Sequence, residues 1–81
     1  QLHASKLQTV RRTNLRLLLN QLKTEGVQGR KLCAMMLGMT PQQFAGIVDG
    51  AEIDDTLARS LEWAMNRPKG WMDREFPDHI W

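Results

Sequence analysis

The sequence predicts an all-α domain, a compact set of four to five helices, and three observations carry that expectation. Apolar residues recur at helical spacing: Leu15, Leu18, Leu19 and Leu22 fall at i, i+3, i+4 and i+7, and Leu57, Ala58, Leu61, Ala64 and Met65 form a second such stripe. Helix stops and starts alternate along the chain, with Gly26, Gly38 and Pro68 closing segments and Thr40-Pro41 and Asp54-Asp55 opening them. The third observation is length, because 81 residues suffice for one core that buries about 60 to 65 per cent of the unfolded surface.

Taken in order, residues 1–9 lack strong periodicity and read as a flexible N-terminal arm, and residues 10–74 read as the folded domain. The first helix is expected from about Val10 to Glu25, stopped by Gly26. Arg12, Arg16 and Lys23 fall off its apolar stripe, exposed and available for phosphate contacts or for solubility. The second helix carries Leu32, Cys33, Met36 and Leu37 at helical spacing and ends at Gly38, which reaches a positive φ without a Cβ clash. Ala34 is small enough to let the next helix cross closely, and Cys33, Leu37, Phe44 and Ile47 make the expected seam. Cys33 is the one cysteine, so no internal disulfide can form, and it reads as a small core residue.

Thr40 and Pro41 suit an N-cap and first position, opening a third helix to Val48. Phe44, Ile47 and Val48 should turn inward, leaving Gln42, Gln43, Ala45, Gly46 and Asp49 outward. A fourth helix is expected over Asp55 to Asn66, capped by Asp54 or Asp55 and ended by Pro68. Trp63 then points roughly 150° from the centre of the apolar face on a helical wheel. Trp71 is the expected plug of the core in a short fifth element, and residues 75–81 form a tail in which His79 and Asp78 lack an accompanying nucleophile.

Charge is unevenly distributed although the net value is only +2. Before Thr40 seven basic residues face one acid, Glu25, whereas from Thr40 onward four basic residues face eight acids. Such asymmetry suggests a basic face for a polyanion and an acidic remainder facing solvent or another protein. No apolar run approaches the roughly 20 residues needed to span a membrane, and the expectation is a soluble cytoplasmic protein. No catalytic constellation, glycine-rich phosphate loop or metal-ligand spacing is visible. The chain is therefore not expected to be an enzyme or to need a cofactor.

Residues 28–50 resemble the helix-turn-helix of the phage-repressor family, the lambda repressor and Cro-like DNA-binding fold. The matching residues are Ala34, Gly38, Met39, Thr40, Phe44 and Ile47, with Asp49-Gly50 where the family usually has a short polar residue and glycine. Ile53 and the stretch 57–73, LARSLEWAMNRPKGWMD, resemble the fourth helix and its exit, so the resemblance covers roughly residues 10–73. It implies sequence-specific binding of double-stranded DNA by a repressor-type transcriptional regulator, with the third helix in the major groove. Gln42 and Gln43 are then natural readers, because a glutamine amide pairs with the N6 and N7 edge of adenine. Thr40 stands at the start of that helix, and Arg30 and Lys31 are placed for phosphates, Arg30 by register with the family. Repressors of this kind generally bind palindromic operators as dimers, and Trp63 is the expected homodimer contact, the other option being a tail that folds back to cover it with Phe76, Ile80 or Trp81. The third helix lacks Lys and Arg, and Asp49 stands where the family tends to place Asn or Ser. DNA binding is the expected function; the uncharged third helix and the acid-rich second half support one alternative, a helix-turn-helix kept as a protein-interaction module of antitoxin-like or adaptor type.

Overall fold

A computed structural model of the chain describes residues 2–75. Every regular element among them is helical: α1 (Leu2–Thr24), α2 (Arg30–Met36), α3 (Pro41–Val48), α4 (Asp55–Ala64) and a single 3-10 turn, Trp71–Asp73. The fold is thus all-α with four helices, and its radius of gyration of 12.2 Å is close to the roughly 12 Å expected of a globule this size. No helix is long and apolar enough to cross a membrane among the described residues.

All four helices stop by the same device. Gly26, Gly38, Gly50 and Asn66 each have positive φ just past a helix end. At the end of α2, the Gly38 N–H donates to Met35 and the Met39 N–H to Ala34, the crossed pair that satisfies otherwise orphaned carbonyls. The same pairing recurs at 26–27, 50–51 and 66–67. At Gly38, where φ is 74°, an added Cβ would stand 3.9 Å from the Ala64 Cβ, so the restriction there is conformational rather than steric. The starts of α3 and α4 are built from side chains. Asp54 accepts from the Leu57 N–H at 2.8 Å, and Thr40 closes a capping box with Gln43.

The core draws on every element. Leu15, Leu18 and Leu22 of α1 meet Ala34 and Leu37, Phe44 and Ile47 of α3, Ile53 of the loop before α4, Ala58 and Leu61 of α4, and the turn residues Trp71 and Met72. Trp71 is buried as expected, with the Arg67 guanidinium 5.0 Å from its ring centroid. Cys33, Leu19, Leu57 and Met65 pack only partly against this core.

Several expectations need correction. Helix α1 begins at Leu2, not near Val10, so the region from residue 2 to 9 is helical rather than an arm. Part of the reason lies in long-range contacts that local periodicity does not reveal. The Gln8 side chain donates to the Ile53 carbonyl at 2.9 Å and accepts from its N–H at 2.8 Å, joining α1 to the loop before α4. Arg12 is half-buried, not free: it donates to the carbonyls of Ile47 and Ala51 at the end of α3, where a cation also meets the negative end of the helix dipole. Val48 is exposed, as are Leu32 and Met36, because a seven- or eight-residue helix against one flank buries only a narrow stripe. Helix α4 ends at Ala64, two residues before the expected end. The tail beyond Glu75, with His79, lies outside the described residues.

The core also contains a polar clasp. Arg11, 2% exposed, donates to Asp73 and to Asp55 at 2.7 Å and to the Ile53 carbonyl at 2.8 Å. Asn14 takes the carbonyls of Met72 and Arg74 at 2.7 Å, while the buried Glu62 accepts from the Met72 N–H at 2.8 Å. Arg59 bridges Glu62 and Asp73, though its Nε, 2.8 Å from Glu62 Oε1, is off the hydrogen-bond line and makes an ionic contact only. Helices α1 and α4 thereby grip the 3-10 turn from both sides.

Candidate nucleic-acid interface

The candidate residues fall on α2, α3 and the turn between them. Thr40, Gln42 and Gln43 at the start of α3, and Arg30 and Lys31 at the start of α2, are all exposed. The turn is short because the paired N–H groups of Gly38 and Met39 end α2 while Thr40 already caps α3. Ala34 is fully buried beneath it, and Phe44 and Ile47 anchor α3 against the core. The outward face of α3 is therefore held by packing on its opposite side.

The two glutamines are not equivalent. Gln43 turns back on the helix start: its Oε1 accepts from the Thr40 N–H at 3.1 Å, while the Gln43 N–H donates to Thr40 Oγ1 at 3.1 Å. A bidentate pairing with adenine uses the carbonyl oxygen and the NH2 together, and Gln43 already holds its oxygen in the cap. Gln42 has no hydrogen-bond partner among the described residues and keeps both groups available. Gln42 thus keeps a wholly free amide among the described residues, whereas one lone pair of the Gln43 oxygen is engaged in the cap of the helix that carries both.

The basic half of the sequence is likewise divided by what the fold consumes. Arg11 and Arg12 are committed inside the molecule, and Lys6 lies 3.5 Å from Glu75. Arg16, Lys23, Arg30 and Lys31 are exposed and without an ion-pair partner among the described residues. Lys23 and Arg30 line one groove with Phe44 and Val48, so the end of α1 supplies a cation to the same flank of α3 as α2 does. On the acidic side, Glu62 is buried and Asp73 is partly buried in the clasp, so the fold itself takes up two of the acids that the charge asymmetry assigns to solvent or to another protein. Hydrogen bonding from Arg11, with help from Arg59 and against the opposing effect of burial, holds the Asp73 carboxyl below the ordinary aspartate range.

Trp63 stands out of the opposite side of α4 at 87% exposure. Around it lie Leu37, Gly38, Ser60 and Ala64, with Arg67 and Lys69 on the other flank. The wheel placed it away from the core, and it is away from the core. No protein-family model, curated protein or solved structure matches the chain.

Proposed function

We propose that the chain binds double-stranded DNA sequence-specifically, as a repressor-type transcriptional regulator of the lambda-repressor-like helix-turn-helix class. The observation that carries the reading is the joint exposure of Gln42 on α3 and of Arg30 and Lys31 on α2, each without a side-chain partner among the described residues. An α-helix fits the major groove, a free glutamine amide can read adenine there, and nearby cations can hold the flanking phosphates. Asp49 sits at the far end of α3, where it would repel phosphate, so the helix enters by its start. Replacing Arg30 and Lys31 together by alanine should weaken binding to all sequences alike and reduce the magnitude of the salt slope by about one unit for each phosphate no longer neutralised. A shift assay over a salt series measures this, and an unchanged slope would remove both residues from the duplex.

In the proposed complex two copies bind a palindromic operator, with Trp63 at the contact between them. So large an exposed apolar ring favours an apolar partner, and two-fold protein symmetry suits two half-sites about one turn of duplex apart. Sedimentation without DNA should show the native chain associating with rising concentration and Trp63→Ala remaining monomeric. A native chain that stays monomeric throughout would sink the Trp63 contact.

The second reading is a protein-interaction module. It is favoured by the outer face of α2, where Leu32, Met35 and Met36 are exposed, Met35 at 67%. Methionine surfaces adapt to apolar partners. Complete absence of duplex binding at low salt would favour this reading.

A further inference from the structure

We propose that the groove between the end of α1, the start of α2 and the edge of α3 is a binding site for a small amphiphilic carboxylate, an acid with an aliphatic or aryl-aliphatic body. Its volume is about 440 Å³, inside the range of roughly 300 to 1,000 Å³ of ligand clefts. Leu19, Val27, Phe44 and Val48 give it apolar walls, and the Cys33 thiol lies on the same lining. Val48 is among the large apolar side chains left exposed, so the wall is not closed by the chain's own packing.

Charge selects the occupant. Lys23 and Arg30 belong to this lining, no acid does, and neither cation has an ion-pair partner among the described residues. A neutral amphiphile would cover the walls and leave both cations unmatched. A symmetric second copy seated here would bring like charges together across the axis. A carboxylate with an apolar body satisfies both parts, because Arg and Lys give charge-assisted hydrogen bonds to carboxylate oxygens.

The site does not depend on DNA binding. Under the DNA reading, an occupant would also engage Arg30 and so compete with phosphate. That consequence rests on the reading, whereas the test of the site is run without duplex, and the two fail separately.

The probe is octanoate, titrated into the labelled chain and followed by NMR, with 1-octanol as the uncharged control. Saturable shifts are expected at the Val27 and Val48 methyls and the Phe44 ring, with octanol about tenfold weaker. Lys23→Gln with Arg30→Gln should weaken octanoate about tenfold and leave octanol unchanged. Both side chains are exposed, so a melting curve can confirm that this variant stays folded. Bound octanoate should also slow alkylation of Cys33 by iodoacetamide. Equal binding of acid and alcohol, saturable shifts elsewhere, or no saturable shift at all would overturn the site. So would groove shifts that grow with protein concentration alone, which would assign the groove to a second copy.

Discussion

Arg11→Ala is expected to destabilise the fold by about 2 to 3 kcal/mol at neutral pH, because it removes an enclosed guanidinium and its charge-assisted hydrogen bonds to the part-buried Asp73 and to the Ile53 carbonyl. The guanidinium is enclosed, and its hydrogen bond to Asp73, more than offsetting burial and with Asp55 adding, raises its pKa so that it stays charged at any working pH. Asp73 is the titrating member. Its folded pKa is depressed, first by the hydrogen bond from Arg11. The stability that this shift contributes is present above the unfolded aspartate pKa of about 3.9 and is lost as pH falls below it towards the folded value. The gap between native chain and Arg11→Ala should therefore be wide at pH 7 and narrower near pH 3. Urea midpoints at the two pH values measure it. A gap independent of pH would reduce the role of Arg11 to packing.

Gln42→Ala should lower affinity for the preferred duplex by about 1 to 3 kcal/mol and relax the preference at one base position, with stability and non-specific binding nearly unchanged. Gln43→Ala should behave differently. It removes one arm of the capping box, so its effect is a loss of stability of about 1 kcal/mol with little change in base preference. Melting curves and binding to preferred and random duplexes separate the two variants. Equal losses on both duplexes for Gln42→Ala would make it a general contact, and a base-specific loss confined to Gln43→Ala would reverse the assignment.

The helices, their stops and the outward Trp63 were legible in the sequence because periodicity and glycine placement are local properties. Buried polar residues were not, although part of their signal was present. Arg11 and Asn14 continue the spacing of Leu15, Leu18 and Leu22 on one face of α1, and all five are buried. Counting only apolar residues along that face cuts the helix short and leaves the clasp unseen. Thr40 and Gln43 have the spacing of a capping box, a local signal that competes with base reading for the same glutamine amide. Arg12 could not be placed from its own helix, since its partners are carbonyls 35 and 39 residues away. Glu62 lies beside Leu61 on α4; its ion pair with Arg59 is local, but the Met72 N–H that completes its buried environment comes from ten residues on.

The central proposal is most directly tested by selecting from a random pool of duplex DNA and measuring the enriched sequence over a salt series. Enrichment of a two-fold-symmetric sequence is expected, with affinity falling steeply as salt rises and with Gln42→Ala relaxing one position in each half. A pool that yields no enriched sequence, from a folded chain that retains no duplex even at low salt, would contradict it.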